Sequence, residues 1–223
     1  MKNFRLLILM ALTLVTGPMM VGIGLADENG GKRYQVTITN VTRGQVITPP
    51  VLISHNEDFQ LFTVGSPAIP ELAVLAEDGV TVNLLALLDT LPTVYDSTAA
   101  SGPILPGTSL TLDIVTKAGF DRISAVGMLA TTNDAFFAIE GVKAPSGGEK
   151  TLEAKAYDAG SEANTESCAF IPGPPCGSGG VHDPAAAEGY VHVHAGIHGI
   201  ADLVPADHDW RNPVAEITIQ RTQ

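Results

Sequence analysis

"RYQVTITNVT", Arg33 to Thr42, alternates Tyr34, Val36 and Ile38 with Gln35, Thr37 and Thr39. A period of two puts the first three side chains on one face and the polar three on the other, the pattern of a half-buried β-strand. Comparable strand-like runs return in "VITPPVLISHN", "DFQLFTVG", "TSLTLDIVTK", "RISAVGMLA", "AFFAIEGV", "KTLEAKAYDA", "GYVHVHA" and "PVAEITIQRT". Short strands punctuated by glycine, proline and asparagine predict a mainly β fold, an antiparallel β-sandwich. Two stretches break the rhythm. "SPAIPELAVLAEDG" opens a helix at Pro70 and Glu71 and stops it near Gly79, and "NLLALLDTL" reads as a second short helix. Both are expected between strands, capping one end of the sandwich. "LPTVYDSTAASGPILPG" and "TESCAFIPGPPCGSGGVHDPAAAEG" read as long irregular loops, and there is no internal repeat.

Lys2 and Arg5 precede the apolar run "LLILMALTLV", and Gly24 and Ala26 suit cleavage before Asp27. Residues 1–26 therefore read as a signal peptide. A retained anchor is the competing reading of Leu6 to Ala26, which Gly17 and Pro18 interrupt. Residues 27–32 are polar and glycine-rich and are expected to be flexible, leaving 33–223 as one domain with a proper core. The formal charge is −12, and removing Lys2 and Arg5 lowers it by two. Such a surface repels nucleic acid and anionic lipid, so neither is an expected partner, and no stable membrane insertion is expected once the signal is cleaved. Cys168 and Cys176 are the only cysteines, and an exported chain with two so close in sequence is expected to join them. The compartment implied is extracellular or periplasmic.

Carboxylates gather at two loops. Asp134 falls in the break between two strands at "TTNDA", and "KAYDAGSEANTE" places Asp158 and Glu162 four apart around Gly160. A tight loop can turn both acids toward one point, where a cation relieves their repulsion. "GYVHVHAGIHG" holds three of the six histidines. His192 and His194 would share one face of a strand, with His198 in a following turn, and a Zn²⁺ or Cu²⁺ site would need His198, His55 or a carboxylate to join them. The alternative is structural. Val191 and Val193 would be the inward positions, and the imidazoles would hydrogen-bond neighbouring strands and loop carbonyls.

The segments "YQVTITNVTRGQVITPP", "SPAIPELAVLAEDG", "TTNDAFFAIEGV", "AYDAGSEAN" and "NPVAEITIQR", in this order from Tyr34 to Arg221, resemble the spondin domain in a shorter, bacterial-style form. This is the N-terminal domain type of F-spondin and mindin. The resemblance implies an antiparallel, C2-like β-sandwich with calcium held at one end by acidic loops, and a role in extracellular interaction or adhesion. It places the aspartate of the family's "S-P-D-W" turn on Asp134 and the acids of its "W-D-A-G-T-D" loop on Asp158 and Glu162. Tyr157 stands for the tryptophan, and Glu162 lengthens the last ligand arm by one carbon.

Enzyme chemistry has little behind it. Ser161 and Ser167 lack a G-x-S-x-G setting and neither cysteine is expected free, which leaves a histidine-ligated hydrolytic metal centre as the one candidate. The expectation is a non-catalytic calcium-binding interaction domain with an unidentified extracellular or cell-surface ligand. A purely structural exported domain is the third reading.

Overall fold

The computed structural model describes residues 30–223, so the expected signal peptide and the first part of the segment after it lie outside the described residues. The chain is mainly β, and its strands form one antiparallel nine-stranded sheet folded over on itself into a nearly closed barrel. The strands are β1 (Lys32–Asn40), β2 (Val51–His55), β3 (Val94–Ala99), β4 (Ser109–Thr116), β5 (Arg122–Met128), β6 (Ala135–Lys143), β7 (Glu149–Asp158), β8 (His192–Val193) and β9 (Ala215–Arg221). Their order is β3-β2-β5-β6-β7-β9-β1-β4, with β8 added to β7.

β7 makes the fold. Its first residues, Glu149 to Ala154, pair with β9, and its last, Lys155 to Asp158, pair with β6. One strand thus passes from one layer to the other. At the opposite edge β3 and β4 meet without a ladder: Asp96 on β3 accepts the Val115 N–H at 2.8 Å, and Ser54 on β2 donates to the Val115 carbonyl at 2.6 Å. Side chains thereby satisfy polar backbone that an open edge would expose.

The opening strand behaves as its alternation requires. Tyr34, Val36 and Ile38 are buried between the layers with Phe137, Ile217 and Ile219. Threonines face out and pair across strands, Thr37 with Thr111 at 2.8 Å. β2, β5 and the first half of β6 do not alternate in burial, because both of their faces are covered. The outer cover is a pair of helices, α1 (Pro70–Asp78) and α2 (Val82–Leu88). Leu72, Leu75, Leu84 and Leu88 pack there on Val51, Ile53, Val126 and Phe136. The helices therefore lie on a face of the sheet rather than capping its end, since only a face offers a second apolar surface wide enough for them. Pro70 opens α1, and Gly79, at φ +69°, closes it by donating its N–H to Leu75.

Two further expectations are corrected. "DFQLFTVG" is irregular, because the N–H groups of Leu61 and Phe62 turn to the Glu140 carboxylate at 2.6 and 3.3 Å instead of to a ladder. "VYDSTA", expected within a loop, is β3, held by its register against β2 from Val51↔Ala99 onward. Cys168 and Cys176 form a disulfide.

Candidate functional site

Asp134 and Asp158 meet at one end of the sheet. β6 begins at Ala135, which pairs with Asp158 at the end of β7, and the Ala159 N–H donates to the Asp134 carbonyl at 3.1 Å. The turn before β6 is fixed by Thr132, whose hydroxyl donates to Leu129 and accepts from the Ala135 N–H. Asp134 is wholly buried; its Oδ2 accepts the N–H groups of Ser161 and Glu162 at 2.8 and 3.0 Å, while its Oδ1 has no partner among the described residues. Asp158, also wholly buried, accepts the Gly160 N–H at 2.7 Å and the Asn164 amide at 2.6 Å. Burial first, and then the charge of Asp158, raises the Asp134 carboxyl to about 8. Burial also raises Asp158, against the hydrogen bond from Asn164.

The loop depends on Gly160. It adopts φ +67°, and a Cβ there would stand 2.3 Å from the Tyr190 carbonyl oxygen. That close approach brings residues 188–190 over the aspartates. Glu188 repels both of them and accepts a hydrogen bond from Asn164 at 3.2 Å. No local pattern marks Glu188, which lies thirty residues from Asp158 across an irregular loop.

Glu162 is adjacent but turned elsewhere. Its Oε1 accepts from His182 Nδ1 at 2.7 Å and from the Asp183 N–H at 3.2 Å. Its Oε2 lacks a hydrogen bond within normal distance, although the Asn133 amide, itself unpartnered, lies on that side. Burial raises the Glu162 carboxyl and His182 counters it. His182 also approaches Asp78 at 3.3 Å and Glu77 at 3.9 Å. Burial alone would lower this imidazole, but Asp78, Glu162 and Glu77 together raise it. Nothing in the spacing of residues marks His182, because its partners come from α1, at Glu77 and Asp78, and from the acidic loop, at Glu162.

The histidine segment does not converge on one point. β8 is only His192–Val193, paired with Asp158 and Tyr157, and Val191 exchanges backbone bonds with Gly65 and Ser66 on its other side. Val191 is buried as expected, but Val193 is 48% exposed and His194 takes the inward place. The ladder ends after Val193, so the alternation that would bury it does not continue. His192 and His194 flank Asp158, at 3.7 Å from Oδ1 and 3.8 Å from Oδ2. Both nitrogens of His194 are engaged: Nδ1 accepts the Gly196 N–H at 2.9 Å, and Nε2 donates to Asn164 Oδ1 at 3.1 Å. His198 lies instead beside Glu166, at 3.6 Å, with its ring exposed. His55 is spent on the Asn56 carbonyl at 2.6 Å and Ser124 at 2.8 Å.

Among the described residues, no group of three or more histidine, cysteine, aspartate or glutamate side chains is gathered as a formed metal site. The pair Asp134 and Asp158 nevertheless suits a hard cation, because a buried carboxylate oxygen without a donor faces a second buried carboxylate. Glu162 lies beside that pair: its N–H donates to Asp134 Oδ2, its Oε1 is taken by His182, and its Oε2 is a second buried carboxylate oxygen without a partner among the described residues.

The chain matches no known family model, and no curated protein matches it in sequence. What the fold and this end define is a β-sandwich with a buried acidic pair under an irregular, disulfide-bridged loop.

Proposed function

We propose that this chain is an exported, calcium-binding interaction domain of the spondin type, without catalytic activity. The observation that carries the reading is the orphaned Oδ1 of the fully buried Asp134 beside Asp158. Two carboxylates held together by backbone donors repel one another unless one is protonated or a cation joins them. Calcium takes six to eight oxygens. Asp134, Asp158 and, above them, Glu188 supply carboxylates, and loop carbonyls and water supply the rest.

Three further features support the reading. The five spondin-like segments come in order along the chain and fall on a mainly antiparallel β fold. The acids of two of them, remote in sequence, meet at one end of the sheet. Export is supported by the basic, then apolar, N-terminal sequence and by the disulfide. No helix among the described residues is long and apolar enough to cross a membrane. Binding rather than catalysis is favoured because the one candidate metal-ligand set for chemistry, the histidines, is dispersed on separate hydrogen bonds.

Calorimetry of the chain from residue 27 onward tests this directly. One equivalent of calcium should bind, and Asp158→Asn should abolish the heat. An ion binding only the folded state should also raise the melting temperature by about 5–10 °C at a hundred times its Kd. A parent protein that takes up no calcium and melts identically with and without chelator overturns the reading.

A further inference from the structure

The histidine segment, unused by the calcium reading, is the wall of a cleft. Two cavities, of about 430 and 620 Å³, share Pro205, Asp209 and Arg211 and run between the loop after β1 and the segment from Ala195 to Arg211. Volumes of this order suit a small organic ligand. Arg43 and Arg211 stand on the cleft, and Val41, Ile197, Pro205 and Trp210 supply apolar wall.

The walls are preformed. His194, buried, lies 5.0 Å from the Trp210 ring and is locked by the Gly196 N–H. Asp209 Oδ1 accepts the Ile197 N–H at 3.0 Å, and Gln45 donates to the His208 carbonyl at 2.8 Å. Glu166 binds the next three backbone N–H groups, those of His198, Gly199 and Ile200. A cleft whose lining is held by bonds made elsewhere loses little freedom when a ligand enters.

Among the lining residues two arginines, Arg43 and Arg211, stand against one carboxylate, Asp209. In a protein of net charge −12, two of the six arginines line this one cleft. The pair Arg43 to Asp207 spans 4.0 Å between exposed side chains, a contact worth little. Arg211 engages Asp209 and the Trp210 carbonyl through a single nitrogen, Nη1, at 2.6 and 3.1 Å. Beside them the Val41 N–H goes to the Val214 carbonyl and the Thr42 N–H to the Asn40 side chain, so these two donors are already satisfied.

We propose that this cleft binds a small carboxylate carrying an apolar body. The carboxylate is held by the guanidinium groups of Arg43 and Arg211, and the body lies on Val41, Pro205 and Trp210. Guanidinium forks match carboxylates in shape as well as charge.

Trp210 is the only tryptophan and lines the cleft, so its fluorescence reports binding there. Titration with phenylacetate should change the emission saturably, and acetate, lacking the apolar body, should bind more weakly. Phenylacetamide, isosteric and uncharged, should give no saturable change. Arg43→Gln and Arg211→Gln, at exposed side chains, should each weaken phenylacetate roughly tenfold while melting like the parent. The proposal is overturned if phenylacetate gives no saturable change, if the amide binds as well, or if either variant binds as the parent does.

Discussion

The backbone N–H of Gly196 donates to Nδ1 of His194 at 2.9 Å, which fixes the ring as the neutral tautomer protonated on Nε2. Burial, with the nearby imidazoles of His192 and His198, lowers this histidine from its ordinary 6.5 to about 3. The folded chain keeps His194 neutral, whereas the unfolded chain protonates it below about 6.5. Its contribution to stability is therefore present above pH 6.5 and lost progressively as the pH falls toward 3. His55, lowered by burial, acts in the same direction. In calcium-saturated protein, where Asp134 carries no proton, melting temperatures should fall between pH 7 and pH 4, and His194→Gln should flatten that slope. An unchanged slope in the variant would show that other groups set the acid limit.

The acidic pair has the opposite sign. Asp134, raised from 3.8 to about 8, holds a proton in the folded, cation-free chain that the unfolded chain has released. Without calcium, stability should fall as the pH rises from about 4 to 8. Calcium should displace the proton, so adding it to unbuffered protein at pH 7 should acidify the solution. No acidification on saturating binding would place the cation away from Asp134.

Glu166 accepts backbone N–H groups from three consecutive residues, His198 to Ile200, and is only 4% exposed. Glu166→Ala leaves these donors without their acceptor and should cost roughly 2–4 kcal/mol in denaturant unfolding. The same variant should quicken hydrogen exchange at residues 198–200 before the strands. Exchange unchanged at those amides would mean the turn holds itself.

Gly160 sits against Tyr190 with no room for a methyl group. Gly160→Ala should destabilise the chain by roughly 1–3 kcal/mol through positive φ and overlap together. It should also displace Glu188 and weaken calcium uptake, which separates it from a remote destabilising change. Calcium affinity equal to the parent's in a folded variant would show that the 188–190 segment is independent of the site.

The disulfide closes a short loop that itself locks onto the turn between β5 and β6. The Gly173 N–H donates to Ala130 at 2.8 Å, and Thr131 donates to the Pro174 carbonyl at 2.7 Å. Replacing both cysteines with alanine should cost about 2–3 kcal/mol, chiefly by freeing the unfolded chain. Parallel unfolding curves of oxidised and reduced protein would measure it, and coincident curves would show that the packing of Ile171 suffices without the bond.

Alternation and turn residues placed β1, β4, β7 and β9, Pro70 and Gly79 placed α1, and the apolar run of "NLLALLDTL" placed α2, because those patterns express local backbone preference. The pairing of Cys168 with Cys176 followed from having only two cysteines. β3 was not legible: Val94 to Ala99 is half-buried throughout and shows no period, and only the unpaired edge of β2 makes it a strand. "DFQLFTVG" failed in the opposite way, since Glu140, far along the chain, takes the donors its pattern would have given to a ladder.

At the acidic end, the positions of Asp134 and Asp158 at strand junctions were readable from the residues alone, because a break in alternation marks where a ladder stops. What those carboxylates meet depends on long-range packing. Asp158 came to lie between His192 and His194, Glu162 turned to His182, and Glu188 came over the pair. Each of these contacts joins segments from different parts of the chain across irregular loops. Loop paths are set by where buried polar groups find partners, and that choice is made only when the whole chain has packed.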